Sequence, residues 1–374
     1  MKRGDSLPPR SHASKQARIL HEVIFTGNLI TPNAAPYPSR AAAKPSVLEF
    51  APIHGICPRA RPHTGVRAPD PTDTPFRMQP HESADNTSGN VDNPGTPASP
   101  TQANDYCRQK AGPPGSALYY ALLQLPPSRR DAAYAAHAFC QEIADIHAAV
   151  HDPGVAHAKL DWWRQELTRL FSGAPAHPVS RALAPVVQQR GLARATFDAV
   201  LHGAEMDLAQ MRYLDFAGLS HYCDAAGGAP AELAAHVYGF DDANTPALAH
   251  TLGHAITLGR RVTDAGVDAR AGYVYFPIDE LQRFGVTAAD LQNGKYSPAF
   301  VALMTFQHAR ARQAITDAAA AIPRPDRRKQ KPLLALAALQ LALMDEVADS
   351  DYQVLHQRID LTPLRKFWRA WRAR

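Results

Sequence analysis

From residue 105 onward, apolar residues recur every three or four positions, and no other regular pattern competes with that one. Leu160, Trp163, Leu167 and Leu170 fall on one helical stripe, as do Leu248, Leu252, Ala255 and Val262. Tyr134, Ala138, Ile143, Ile146 and Val150 follow a similar spacing. A stripe of that period is buried by packing against other helices. Turn signals separate the segments at Gly112-Pro-Pro-Gly, His151-Asp-Pro-Gly, Ser172-Gly-Ala-Pro, Gly227-Gly-Ala-Pro and Ile322-Pro-Arg-Pro. Alternating β-rich segments are scarce, so the pattern predicts an all-α fold of antiparallel helices around a central cavity.

The first 104 residues read differently, holding 16 of the 32 prolines and none of the four tryptophans. Stretches such as Thr31-Pro-Asn-Ala-Ala-Pro-Tyr-Pro bury too little apolar surface to offset the entropy of ordering. Residues 1–104 are therefore expected to form a disordered, proline-rich extension, and residues 105–374 one helical domain. Lys2 and Arg3 are not followed by an apolar stretch, which argues against a secretory signal. A transit-like leader and a natural start at Met78 both stay open.

Cys57, Cys107, Cys140 and Cys223 show no paired short spacing, which points to a reducing, cytoplasmic setting and away from a zinc site. His137, His147, His151 and His157 form no helix-spaced ligand set with them and read as surface or cavity histidines. The longest apolar run, from Pro332 to Met344, is shorter than the ~20 residues a bilayer span needs and reads as a buried core helix. Net charge is +5, but its basic residues form no reading motif, so no nucleic-acid partner is expected. The terminal segment Arg365–Arg374 interleaves Phe367, Trp368 and Trp371 with arginine and lysine. It suits peripheral contact with the anionic inner face of a membrane, or a short solvated helix end.

Two predicted helices carry carboxylates suited to face the cavity. Asp145 follows Gln141 by four residues, and Asp264 and Asp268 follow Arg260 at successive intervals of four, so each set shares a helix face. Oxygen ligands on facing helices suit Mg2+, which is held by one or two carboxylates plus substrate phosphate oxygens. Such pairs also occur on solvated surfaces. Tyr119 and Tyr120 fit either a tunnel wall or core packing, and Arg212 either a phosphate or an ion pair with Asp207.

Several strings taken together resemble the squalene/phytoene synthase family, most of all its bacterial presqualene diphosphate synthase branch. They are Tyr106-Cys-Arg-Gln-Lys110, Leu125-Pro-Pro-Ser-Arg-Arg130, Phe139-Cys140, Lys159-Leu-Asp-Trp-Trp-Arg164, Glu205-Met-Asp-Leu208 with Arg212-Tyr213, the Asp264–Pro277 segment, and Val354-Leu-His-Gln-Arg358. The resemblance runs in order through residues 105–374. It implies an isoprenoid-synthase-type helical bundle in which two farnesyl diphosphates condense head to head. Two aspartate-rich motifs would hold Mg2+ on the leaving diphosphate while apolar helix faces keep water from the carbocation. The implied metal ligands are Asp145, Asp264 and Asp268. The candidates for substrate contact are Ser116, Tyr119, Tyr120, Arg212, Tyr213, Arg260 and Arg358.

Both motifs depart from the family pattern. In the first, an arginine, a first aspartate and a last acidic residue are replaced by Gln141, Ala144 and Ala148, leaving Asp145. In the second, Thr257, Arg260, Thr263 and Val267 stand where glutamine, asparagine, arginine and glutamate are usual, and a tyrosine of a later helix is Gln340. Arg260, one turn before Asp264, has the reach to stand in for a metal cation or to meet a diphosphate. Two functions are therefore expected to compete. One is a head-to-head prenyltransferase with an impaired metal site; the other is a non-catalytic relative that binds an isoprenoid or partners an active synthase.

Overall fold

A computed structural model describes residues 100–149 and 152–373. Six helices come first: α1 (Pro100–Ala111), α2 (Ala117–Leu122), α3 (Pro127–Ala149), α4 (Pro153–Phe171), α5 (Pro178–Arg190) and α6 (Arg194–Ala209). Then α7 (Phe216–Cys223) runs through a π-helical segment, Asp224–Gly228, into α8 (Ala229–Tyr238). Next are α9 (Thr245–Thr263), α10 (Ala265–Arg270), α11 (Ile278–Phe284), α12 (Ala288–Gln292), α13 (Pro298–Ala321) and α14 (Lys331–Asp349). A 3₁₀ turn, Gln353–Leu355, precedes α15 (Pro363–Arg372). Among the described residues the only extended pairing is one isolated parallel bridge between Arg212 and Val274.

Local chemistry sets many of the ends. Asp152 caps α4 by accepting from the backbone N–H groups of Gly154 and Val155, with Pro153 opening the first turn. Ser297 caps α13 with Pro298 behind it, Asp215 caps α7, and Thr287 and Asp290 form a reciprocal capping box on α12. Gly191 ends α5 in the left-handed region. Gly227-Gly-Ala-Pro, expected to be a turn, instead lies within a helical path. Pro230 has no N–H to bond back into that path, and the wider π turn just before it accommodates the missing donor. The boundary expected between residues 104 and 105 falls inside α1, while residues 1–99, including Met78 and most of the expected extension, lie outside the described residues.

Helix α9 is the centre of the bundle and packs against α8, the π segment, α13 and α14. Glycines set how closely it approaches the π segment. A Cβ on Gly253 would overlap the Gly227 carbonyl oxygen and the Ala231 methyl. The start of α9 is held by the fully buried carboxylate of Asp326. It accepts from the backbone N–H of Asp241 at 2.7 Å and of Asp242 at 2.9 Å, and from the Thr245 hydroxyl at 2.6 Å. Across the bundle, Phe139 on α3 and Phe197 on α6 are fully buried and meet edge to face, so these helices have a fixed separation. The run from Pro332 to Met344 is, as expected, part of a core helix, α14, with Leu333, Leu334, Leu339 and Met344 buried. No helix among the described residues is long and apolar enough to cross a membrane.

Candidate functional site

A cavity of about 660 Å³ opens between α3, α6, the π segment, α9 and α10. Ile143 and Ala144 of α3, Val200, Ala204 and Leu208 of α6, and Ala225 and Ala226 of the π segment form an apolar wall. Polar groups gather at one end, where Asp207 of α6, Tyr222 of α7, Arg260 and Arg261 of α9, and Asp264, Asp268 and Tyr275 all line the cavity. A largely apolar hollow with one polar end is the general form of a site for an amphipathic small molecule. Burial pushes the thiol of Cys140, also in the wall, up to about 12, so it stays protonated.

The polar end is built on an aromatic stack. Tyr222 and Tyr275 stack with ring centres 5.0 Å apart, and Tyr213 and Tyr273 pack on either side at 5.5 and 5.9 Å. Asp207, buried at 6% exposure, accepts from the Tyr275 hydroxyl at 2.8 Å and the Tyr222 hydroxyl at 3.3 Å. Burial raises both tyrosine hydroxyls well above their ordinary range, so they stay neutral donors. The guanidinium of Arg261 lies 4.2 Å above the Tyr275 ring and donates from Nη1 to Asp268 Oδ2 at 3.1 Å. Burial works against that charge, but the attraction of Asp268 holds Arg261 ionised. Burial also pushes the Asp268 carboxyl up to about 6, against the downward pull of Arg261. Arg261 Nε, itself buried on a residue only 8% exposed, has no hydrogen-bond partner among the described residues.

Asp264 sits at a slight break between α9 and α10. Hydrogen bonds four residues apart still run from Asp264 N to Arg260 O and from Asp268 N to Asp264 O, both 2.8 Å. The two aspartates thus reach the same cavity, as their spacing predicts. Arg260 Nε lies 3.8 Å from Asp264 Oδ2, and its side chain is 57% exposed. Arg260 therefore pairs loosely at the rim, whereas the cation closely paired and buried at the second motif is Arg261. Its signal was legible: Arg261 precedes Asp268 by seven residues, two helical turns on one face. The tyrosine stack with Asp207 is a second feature that spacing alone leaves unread, because its members come from α6, α7 and the segment after α10.

The other expected site residues lie elsewhere. Asp145 lines a separate pocket of about 350 Å³ with Lys110, Glu142, Lys159, Trp162, Trp163 and His177. There it receives Lys110 Nζ at 2.9 Å and Gln141 Nε2 at 2.6 Å. Ala144, one residue earlier and about 100° around the helix, lines the main cavity together with Cys140 and Ile143 of α3. Ser116 caps α2 by accepting from Tyr119 N at 3.1 Å. Tyr119 packs on Tyr120, and Tyr120 on Phe367 of α15, so this corner is helix packing and lines neither pocket. Tyr213 is buried at 2% exposure within the tyrosine stack; Arg212 and Arg358 are exposed, and none of the three lines the main cavity. The side chain of Ala148 lies outside the described residues.

The Mg2+ implied by the resemblance does not fit these donors. The metal arrangement the resemblance implies draws carboxylate oxygens from both walls of the cavity. One wall presents Ala144, and on the other Asp268 is committed to Arg261 and Asp264 neighbours Arg260. No group of three or more histidine, cysteine, aspartate or glutamate side chains among the described residues is disposed to hold a metal.

The all-α bundle and its cavity share the isoprenoid-synthase fold of the solved dehydrosqualene and squalene synthases that superpose on it. Residues 112–365 match the squalene/phytoene synthase family model, and the chain belongs to that family of prenyltransferases. It is 30% identical to a phytoene synthase of Arthrospira platensis over 70% of this chain and 89% of that one. It is 33% identical to a presqualene diphosphate synthase of Rhodopseudomonas palustris over 47% of this chain and 63% of that one. A ligand-bound dehydrosqualene synthase superposes with a TM-score of 0.67 at 22% identity, covering 73% of this chain and 96% of its own. A squalene synthase of Alicyclobacillus acidocaldarius does so with 0.59 at 20%, covering 67% and 94%.

Proposed function

We propose that this chain is a non-catalytic member of its family, one that holds an isoprenoid in the α3/α6/α9 cavity without joining two prenyl diphosphates. The observation that carries this reading is the buried Arg261–Asp268 pair facing Ala144. Ionising an allylic diphosphate requires concentrated positive charge on the leaving group. Here the positive charge at the second motif is spent on the protein's own carboxylates, and the opposite helix supplies no ligand at residue 144. The apolar wall is retained, so affinity for a prenyl chain does not depend on the missing chemistry.

The partner surface suggested by this reading is an anionic bilayer. Leu364, Phe367, Trp368 and Trp371 occupy one stripe of α15 and are 40–55% exposed, while Ala370 on the other face is buried. Arg369 and Arg372 flank the stripe, which suits anionic head groups around an inserted aromatic face. A water-insoluble ligand would enter and leave from such a surface. The test of the central reading is to incubate the full chain with farnesyl diphosphate and Mg2+ and assay diphosphate release and C30 product, alongside calorimetric titration with isoprenoids. Saturable binding with no release is expected. Turnover above the uncatalysed background would overturn it.

A further inference from the structure

We infer that His137, held in place by Tyr238, closes the inner end of the cavity and sets the longest prenyl chain it admits, a farnesyl chain rather than one an isoprene unit longer; this rests on the isoprenoid-holding reading above. On α3, His137 precedes Ala144 by seven residues, two helical turns on one face, with Cys140 on the turn between them. On α6, Phe197 precedes Ala204 by the same seven, with Val200 between them. Ala144, Cys140, Ala204 and Val200 all line the cavity, so His137 and Phe197 stand one turn past its innermost lining on both helices. Burial deep enough to push the His137 imidazole down to about 4 still leaves the residue part of its accessible surface, as it does at Cys140. Surface kept at that depth faces an internal hollow.

This end wall is rigid and uncharged. His137 Nε2 and the Tyr238 hydroxyl share a hydrogen bond at 2.6 Å that ties α3 to α8, and Tyr238 is 1% exposed. Phe197, fully buried, meets Phe139 and Phe171 edge to face at 5.2 and 5.7 Å. Burial keeps His137 and Tyr238 both neutral, so a hydrocarbon terminus can reach them without stripping water from a charge. The length follows from the α6 wall, whose lining runs from Val200 to Met211 at the exposed mouth, about 16 Å at the helical rise. At about 1.25 Å per bond, the main chain of a farnesyl group spans about 14 Å and that of a geranylgeranyl group about 19 Å. With the head group at the rim beside Arg260, the first fits, and the second overruns the lining by about 3 Å. Removing the imidazole moves the α3 wall back to Ala133, a further turn of about 5.4 Å, which matches the ~5 Å of one isoprene unit.

The experiment is a calorimetric titration of the full chain with farnesyl and geranylgeranyl thiolodiphosphates, analogues that resist ionisation, in the presence of Mg2+. The farnesyl analogue is expected to bind the wild-type chain at least about tenfold more tightly. His137→Ala combined with Tyr238→Phe opens the wall and leaves no buried hydroxyl unpaired, and it is expected to bring the ratio to about one or invert it. His137→Phe keeps the bulk and is expected to keep the ratio, while His137→Val, a smaller truncation, reads the same effect if the double variant does not fold. Equal or tighter binding of the geranylgeranyl analogue by the wild-type chain would overturn the length limit and leave isoprenoid holding intact. An unchanged ratio in the truncated variants would overturn His137 as the stop. Binding of neither analogue would remove the isoprenoid-holding reading, and the length limit with it.

Discussion

Replacing Arg261 with methionine tests the buried pair directly, because it removes the guanidinium from Asp268 while keeping a long side chain over Tyr275. In the wild-type chain the Asp268 carboxyl stands at about 6, raised by burial and pulled down by Arg261. Without Arg261 the carboxylate can stay ionised, losing an attraction of about 4 kcal/mol for charges ~4 Å apart at an effective dielectric of ~20. Or it can take a proton, which costs about 1.4 kcal/mol for each pH unit above the wild-type value. The cheaper route sets the loss, so the electrostatic part is about 1.4 kcal/mol at pH ~7, about 3 kcal/mol at pH ~8, and vanishes near pH ~6. The sign follows from the raised carboxyl: its ionised form lowers stability above that value, and the cost is relieved as pH falls through it toward the unfolded value. Loss of the cation–π contact at 4.2 Å adds about 1–2 kcal/mol with no pH dependence. Urea unfolding of wild type and Arg261→Met at the three pH values reads the difference. The stability gap should widen from about 1–2 kcal/mol at the lowest pH to about 4 kcal/mol at the highest. A gap of the same size throughout would show that Asp268 does not depend on Arg261, and the account of the site would fail.

Two further outcomes follow from the packing and the surface. Gly253→Ala would place a methyl on the Gly227 carbonyl and the Ala231 side chain, so it should destabilise the fold by about 2 kcal/mol or more, although alanine is the better helix former; a neutral or raised melting temperature would refute the close approach. Replacing Phe367, Trp368 and Trp371 together with serine should abolish sedimentation with anionic vesicles and leave the helical circular dichroism unchanged, and undiminished sedimentation would exclude α15 as the docking face.

The helices were legible because their signals are local. The three- and four-residue spacing of Leu160, Trp163, Leu167 and Leu170 gives one face of α4, and Asp152-Pro153 states where that helix begins. The misread turn at Gly227-Gly-Ala-Pro has a tertiary cause. Glycine and proline mark a turn in isolation, but here they thin the chain so that α9 can approach, and the wall of α9 keeps the path helical. The tyrosine stack was out of reach for the same reason, since Tyr222 and Tyr275 are separated by the π segment and all of α8, α9 and α10.

The placements of Asp145 and Arg260 share one physical origin. Asp145 adjoins Ala144, and Arg261 adjoins Arg260; in each pair the neighbours point about 100° apart around a helix. A motif written as a string treats Asp145 as a surviving half of a metal site, but the rotation sends it to Lys110, and the cavity is left with a methyl. It likewise offers Arg260 as the replacement cation, whereas rotation puts Arg261 on Asp268 and leaves Arg260 at the rim. Counting acidic residues therefore overstates what the cavity can hold, since a carboxylate contributes to a metal site only when it faces the cavity and is not already neutralised. By that criterion the α3 wall supplies no ligand at residue 144, and on the other wall Asp268 is closely paired while Asp264 is held only loosely. The same Arg261 that occupies the second motif also stabilises Asp268, a carboxylate that burial would otherwise disfavour. On the proposed reading, the bundle keeps its cavity and its family likeness while Arg261 is the cation beside the buried carboxylate of the second motif.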